Sequence, residues 1–172
     1  MPRRHRPRRA GLPRAFADGR DLEARGDMAL ASLLGGLALA NAALGAVHGF
    51  AGPIGGAFPG APHGAVCARL LPEVLRINAR ALKAREPESP VLARLDEVAR
   101  LVTGDPTATL DDAIDHLRAL VGSLQIRPLA AFGLRPADLP DLVDRSRRAS
   151  SMKGNPLDLT DAELHEALAA AL

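Results

Sequence analysis

The chain has 172 residues, enough for one domain, and 47% of them are hydrophobic, so a sizeable core can form. Aromatic residues make up only 2%, with no Trp or Tyr, so the core must consist of aliphatic side chains, a composition that favours packed helices. Residues 1–14 carry six arginines, and the remainder, with sixteen basic against twenty acidic side chains, is mildly acidic, which argues against a nucleic-acid-binding surface on the folded part.

Residues 1–17 are predicted to form a disordered basic tail. Arg and Pro dominate residues 1–14, and no apolar periodicity is present there. A targeting arm and a nucleic-acid tether are alternative functions, but a remnant of a misread gene start is the simpler interpretation. No apolar segment of the signal-peptide type follows, and Cys67 is the only cysteine, so we expect a cytoplasmic protein.

Asp21 is a predicted helix N-cap, with Glu23 in the first turn, and an uncharged run of 20 residues follows at 28–47. The length of this run alone would allow a membrane span. Ala and Gly dominate it, however, and these residues partition weakly into lipid, whereas a helix that is apolar on every side suits the centre of a helical domain. We therefore predict a buried core helix and no membrane association.

The rest of the chain is also predicted to be helical. Apolar periodicity predicts helices over residues 69–82, 90–103, 110–124, 138–149 and 161–171. Thr109 with Asp112, and Thr160 with Glu163, form predicted capping boxes at the start of two of these helices. No convincing strand pattern and no internal repeat is present. The prediction is an all-α domain of about seven helices over residues 18–172.

Two histidines lie in a stretch, residues 41–72, that is otherwise apolar or rich in glycine. His48 is predicted to lie late in one helical run, and His63, which follows Pro62, in the first turn of the next helix. A helix end and a helix start can converge across a glycine-rich loop, and imidazole is the commonest metal ligand. Spacing alone is unspecific, so metal ligation and a pair of core histidines remain alternatives.

The remaining histidines and the cysteine give weaker signals. Cys67 lies four residues after His63, so the two side chains can share a helical face. A thiolate is a soft metal ligand, but a lone helical cysteine is more often a small buried hydrophobic residue, and we favour that interpretation. His5, His116 and His165 lie in segments of surface character and are not predicted to have a function.

Three segments resemble the iron-containing (group III) alcohol dehydrogenases. The first two are H-G-F-A-G-P-I-G-G-A-F-P-G-A-P-H-G at residues 48–64 and L-L-P-E-V-L-R-I-N at residues 70–78. The third is A-S-S-M-K-G-N-P-L-D-L-T at residues 149–160, so the resemblance covers residues 21–172. It implies an all-α fold like the C-terminal domain of these enzymes, which is of the dehydroquinate synthase-like type. It also implies that His48 and His63 are two ligands of a catalytic divalent iron or zinc ion.

The sequence departs from the family pattern at two places. Family members usually carry a second histidine four residues after the first, tied to proton relay near the nicotinamide, where this chain has Gly52. The family's other two metal ligands form an upstream D-x-x-x-H motif, which does not occur in the 47 residues before His48. The family's N-terminal nucleotide-binding domain, with its glycine-rich phosphate loop, is not seen in this sequence either.

The polar residues of the closing segment have two interpretations. They are Ser150, Ser151, Lys153 and Asn155. The resemblance allows contact with another domain near the cleft, whereas Gly154 and Pro156 explain the segment by helix termination alone. We favour helix termination.

The resemblance implies the metal-binding C-terminal domain of an NAD(P)-dependent oxidoreductase that acts on a small alcohol or aldehyde. We expect a fragment that binds divalent iron or zinc weakly, because two imidazoles are fewer than the usual three protein ligands. We expect it to be inactive alone, without catalytic residues of its own, and to depend for NAD(P) on a nucleotide-binding domain on another chain, or to self-associate. A non-catalytic helical interaction domain and a metal-free relative of the maleylacetate reductases remain alternatives.

Overall fold

The structure, a computed structural model, describes residues 11–172 and contains helices but no strand over that range. The α-helices are α1 (Gly11–Ala17), α2 (Leu22–Asn41), α3 (Ala46–Ala57), α4 (His63–Arg85), α5 (Pro90–Thr103), α6 (Leu110–Ser123), α7 (Leu139–Arg147) and α8 (Asp161–Ala170). Short 3-10 helices lie at Leu129–Phe132, Pro136–Asp138 and Ser150–Gly154. The predicted all-α fold is confirmed for the described residues, with eight α-helices instead of about seven.

The chain divides into two compact units, of which the first ends at Ala42 and the second comprises Ala43–Leu172. In the first unit α1 packs against α2, and Arg14 of α1 donates to both carboxylate oxygens of Asp21, at 2.9 and 3.0 Å. Asp21 also accepts from the backbone N–H of Ala24 and so caps α2 as predicted. Residues 11–17, assigned to the disordered tail from the sequence, are therefore helical, while residues 1–10 lie outside the described residues.

The prediction of a buried core helix over residues 28–47 is wrong, because α2 is exposed. Ala24 is the buried residue of this helix, and five of its six leucines, all except the half-buried Leu30, are between 48% and 81% exposed. The helix also ends at Asn41, so a break divides the uncharged run into two helices. Within residues 11–172 no single helix is long and apolar enough to cross a membrane. Only α2 and α3 taken together, as two helices with a sharp bend between them, have the length and composition of a membrane span.

Helix α4 is the central element of the second unit. It packs against α3, α5, α6 and α8, and α7 packs against α3 and α8. Residues 69–82, predicted to be helical from their apolar periodicity, lie in α4, and the apolar side chains Leu70, Val74, Ile77 and Leu82 are buried. These side chains meet aliphatic residues of α3, α7 and α8 in one continuous core. The helices α3 and α4, whose first turns carry the two histidines, therefore share this core.

Capping side chains define where α6 and α8 begin. Thr109 Oγ1 accepts from the backbone N–H of Asp112, and the Asp112 carboxylate accepts from the backbone N–H of Thr109. Thr160 and Glu163 make the same reciprocal pair of hydrogen bonds at the start of α8. Both predicted capping boxes are confirmed.

A buried carboxylate joins α4 to α6. Glu73 is 7% exposed and accepts two hydrogen bonds from Arg118, at 2.8 and 2.9 Å, and one from Arg76, at 3.3 Å. Burial acts to raise the pKa of Glu73, but the hydrogen bonds and charges of Arg118 and then Arg76 outweigh it, so that this pKa lies below its ordinary value. The carboxylate is therefore ionised at neutral pH and holds α6 against the central helix.

Candidate metal centre

His48 lies in the first turn of α3, which begins at Ala46. The prediction that His48 lies late in a helical run is therefore wrong. The predicted glycine-rich loop is also mostly helical, since α3 continues to Ala57 and contains Gly52. A long-range contact caps this helix start: the side-chain oxygen of Asn155 accepts from the backbone N–H of Ala46 at 3.2 Å, across 109 positions of the sequence.

A pair of asparagine side chains holds the start of α3 against α4. Asn78 of α4 donates to Asn155 Oδ1 at 3.1 Å, and Asn155 Nδ2 donates back to Asn78 Oδ1 at 2.8 Å and to the carbonyl of Leu157 at 2.9 Å. Helix termination, favoured from the sequence, does not account for these bonds. The Asn155 side chain acts as a bridge between two helices, and no local pattern could reveal it because its partners are distant in sequence.

The structure brings the rings of His48 and His63 together. His63 is the first residue of α4, after Pro62 at the N-cap position, as predicted. The two ring centroids are 5.6 Å apart, and the ring planes are inclined at 48°. His48 is half-buried and His63 is exposed. Two helix starts, instead of a helix end and a helix start, thus present imidazole nitrogens at one place on the surface.

Cys67 adds a sulfur atom to this place. It lies one turn after His63 on α4, and its Sγ is 3.5 Å from Nε2 of His63. One donor atom from each of His48, His63 and Cys67 lies within 4.8 Å of the other two. Burial raises the pKa of the Cys67 thiol, which is half-buried and packs against the core. Cys67 packs against the core but is half-buried instead of buried as predicted, and it also contacts a candidate metal ligand.

The donor set fits a divalent transition metal. Imidazole nitrogen binds iron and zinc, and thiolate sulfur binds zinc well. The three donor atoms come from two helices that pack against each other, so the site needs no large rearrangement to bring them to one ion. The assignment of His48 and His63 as metal ligands stays a prediction, for which this cluster provides a plausible geometry.

An apolar cavity of about 430 Å³ adjoins the cluster. His48 and Cys67 lie along it together with Leu71 and Val74, and the amides of Asn78 and Asn155 supply polar groups in its lining. A small ligand can place its hydrocarbon part against these side chains while a polar group reaches His48. Sequence analysis did not predict this cavity, because it lies between segments that only the fold brings together.

Residues 9–172 match the family model described as Fe-containing alcohol dehydrogenase family, C-terminal. The chain belongs to the iron-containing alcohol dehydrogenase family. Alcohol dehydrogenase 4 of Schizosaccharomyces pombe is 38% identical over 154 residues, which cover 89% of this chain and 34% of that protein. The 1,3-propanediol dehydrogenase of Klebsiella pneumoniae is 35% identical over 155 residues, covering 89% of this chain and 38% of that protein. The resemblance read from the sequence is confirmed.

Solved structures of the iron-containing alcohol dehydrogenase family share the fold. A 1,3-propanediol oxidoreductase superposes with a TM-score of 0.81 at 31% identity, covering 95% of this chain and 42% of that chain. Alcohol dehydrogenase from Oenococcus oeni superposes with a TM-score of 0.80 at 30% identity, with the same coverage of 95% and 42%. The chain therefore spans about two fifths or less of the length of these relatives, and it matches the helical C-terminal part of the family.

Gly52, which stands where the family usually has a second histidine, lies one turn after His48 on α3. A Cβ built there meets no heavy atom within 4 Å. In this member of the iron-containing alcohol dehydrogenase family the place is therefore open, and no imidazole stands there beside His48.

Proposed function

We propose that this chain is the metal-binding part of an NAD(P)-dependent oxidoreductase that acts on a small alcohol or aldehyde. The observation that supports it is the convergence of His48 and His63, which are 15 positions apart in sequence but have ring centroids 5.6 Å apart. In the proposal these two residues hold a divalent iron or zinc ion. Membership of the iron-containing alcohol dehydrogenase family supports the reaction class.

The chain's own residues position the reacting groups. A divalent metal held there supplies Lewis-acid chemistry, drawing electron density from the oxygen of the alcohol or carbonyl group. Asn78 and Asn155 hold the start of α3 against α4 and so keep the His48 ring near His63. The apolar lining beside His48 and Cys67 accepts the hydrocarbon part of the substrate. No imidazole at Gly52 relays a proton, and the proposal assigns this role to solvent, which can enter the open space there.

Hydride transfer requires a nicotinamide ring held close to the reacting carbon. We propose that a nucleotide-binding domain outside these 172 residues holds the nicotinamide nucleotide, on this or another polypeptide. The chain covers 34% to 38% of relatives named as alcohol or propanediol dehydrogenases, and this supports such a division. The chain by itself is then expected to bind metal but not to turn over substrate.

Complementation tests the proposal. The chain is mixed with the nucleotide-binding part of the Schizosaccharomyces pombe relative, supplied as a separate polypeptide with iron or zinc. Nicotinamide absorbance is then followed with short-chain alcohols. Turnover should appear only in the mixture and should disappear with His63→Ala, whereas His116→Ala on the exposed face of α6 should leave it unchanged.

Three outcomes argue against the proposal. Turnover by the chain alone would show that no other domain is needed. Turnover that survives both metal removal and His63→Ala would favour a metal-free reductase of the maleylacetate reductase type. A mixture that forms a complex and binds metal but shows no turnover with any alcohol or aldehyde would favour a non-catalytic helical domain.

A further inference from the structure

We propose that Cys67 is the third protein ligand of this metal centre, and that its thiolate makes the site formed by His48, His63 and Cys67 selective for zinc over ferrous iron. The inference rests on the proposed function, which assigns the metal to His48 and His63. It goes further in giving the centre a complete set of protein donors and in choosing the metal.

The distance between Cys67 and His63 suits two ligands of one ion. Tetrahedral zinc has bonds of about 2.3 Å to sulfur and about 2.0–2.1 Å to nitrogen, which place those two atoms about 3.5 Å apart. Sγ of Cys67 and Nε2 of His63 are separated by 3.5 Å. The pair therefore needs no rearrangement to bind one ion, and a donor atom of His48 lies within 4.8 Å of both.

The backbone explains why the pair is already in place. His63 and Cys67 are at positions i and i+4 of α4, so both side chains project from one face of one helix. Paired ligands at this spacing are a common way to bind zinc on a helix. His48 comes from a second helix, α3, that packs against α4. A metal ion bound by all three residues would therefore link the two helices. Three protein ligands leave a fourth position for a substrate oxygen, the arrangement found in catalytic zinc sites.

The sulfur determines the preference for zinc. Two imidazoles bind both iron and zinc, and zinc already lies above ferrous iron in the general order of affinity. A soft thiolate adds more to the binding of zinc than to that of ferrous iron. When the ion binds, the Cys67 thiol releases its proton to solvent and the sulfur donates an electron pair, so the oxidation state of the metal does not change.

The same 3.5 Å contact also fits a simple hydrogen bond, in which the Cys67 thiol donates to the His63 ring and plays no part in metal binding. The two interpretations differ in one respect. A ligand gives a sulfur–metal bond and sets the metal preference, whereas a hydrogen-bonded thiol does neither. The test therefore measures the sulfur–metal bond directly and does not depend on enzyme activity.

The experiment titrates the full chain with Co²⁺, Zn²⁺ and, without oxygen, Fe²⁺, in the presence of a non-thiol reductant. Wild type, Cys67→Ser, His63→Ala and the control His116→Ala are compared, with circular dichroism to check that each is folded. Wild type with Co²⁺ should show a near-ultraviolet charge-transfer band from sulfur to cobalt, and Cys67→Ser should lack it. Zinc affinity should fall at least about 100-fold in Cys67→Ser, since loss of even an outer partner costs about 10–100-fold. Ferrous iron affinity should fall at least about tenfold less than zinc affinity.

Three other results would each contradict part of the proposal. If wild type binds Co²⁺ without the charge-transfer band, or if Cys67→Ser keeps its zinc affinity within about threefold, Cys67 is not a ligand, and the proposed two-histidine site stands. Equal losses for zinc and iron would remove the selectivity. If wild type binds none of the three ions, the metal site of the proposed function fails as well.

Discussion

Gly154 is a position at which the fold accepts no side chain. A Cβ there would lie 2.0 Å from the backbone oxygen of Leu44 and 2.5 Å from the Cβ of Ala43. Because one of these atoms is backbone, the neighbour cannot move aside by a rotamer change. Gly154 therefore lets the segment before Asn155 approach the chain that leads into α3, and this approach places the Asn155 side chain at the start of that helix.

Replacement of Gly154 by Ala should destabilise the second unit. We expect the free energy of unfolding to fall by about 3 kcal/mol, the upper end of the usual cost of overpacking, because backbone must shift. The matched control is Gly64→Ala in α4, where a Cβ meets nothing within 4 Å and alanine should add up to about 1 kcal/mol through helix propensity. Urea unfolding followed by far-ultraviolet circular dichroism measures both. Equal effects of the two substitutions would contradict the steric explanation.

At the scale of elements, two arginines of α4 bind one glutamate of α8 and so join the two helices. Glu166 of α8 accepts from Arg80 and Arg76 of α4, each at 2.9 Å. The hydrogen bonds from Arg80 and then Arg76 lower the pKa of Glu166 from 4.5 to about 2. The side chain remains 40% exposed, so solvent screens the ion pair and reduces its contribution to stability.

The contribution of the Glu166 ion pair to the free energy of unfolding should depend on pH. A carboxylate with a lowered pKa stabilises the folded state above its ordinary value of 4.5, and loses that contribution as pH falls towards about 2. We expect Glu166→Gln to cost at most about 1 kcal/mol at pH 7, because the pair is screened. This cost should shrink as pH falls below 4.5 and vanish near 2. Urea unfolding at several pH values measures it.

The control for this pair is Glu88→Gln, in the exposed loop before α5, which should leave stability unchanged at pH 7. A cost of Glu166→Gln that stays constant down to the lowest pH would mean that the substitution acts through packing and not through the ion pair. High salt should also reduce the cost, since it screens exposed charges.

At the scale of the whole molecule, α2 presents an apolar surface. Four of its leucines are between 48% and 61% exposed, namely Leu33, Leu34, Leu37 and Leu39. Contiguous exposed apolar side chains are uncommon on monomeric soluble proteins and usually mark an interface. The apolar composition that predicted a buried helix therefore lies on an exposed surface, and we expect a partner to cover it.

We predict that the isolated chain self-associates through this surface. The double substitution of Leu33 and Leu37 by Gln, one helical turn apart, should convert the associated form to a monomer, because the two residues share one face of α2. Leu101→Gln on α5, a leucine that is 59% exposed, is the matched control and should not change the state of association. Sedimentation over a range of concentrations measures it. A wild-type chain that stays monomeric at every concentration would show that α2 does not pair with a second copy.

The sequence alone determined the features that depend on neighbouring residues. The capping boxes of Thr109 and Thr160 involve contacts over three positions, so their patterns could be recognised directly. Helix α5 spans residues 90–103 as predicted, and Gly104, with φ of 82°, follows it because glycine adopts this left-handed conformation without strain. The buried stripe of α4 followed from helical periodicity, and the family followed from the segments around His48 and His63.

Contacts between distant segments set which surfaces are buried and how the candidate metal centre is assembled. The exposure of α2 depends on what packs against it, and apolar composition alone does not specify that. The helix of His48 is capped at Ala46, whose backbone N–H donates to the side chain of Asn155, 109 positions away. The approach of His48 to His63 and Cys67 follows from the packing of α3 on α4. Hydrogen bonds and packing between distant segments are fixed by the global arrangement of the chain, so local spacing cannot reveal them.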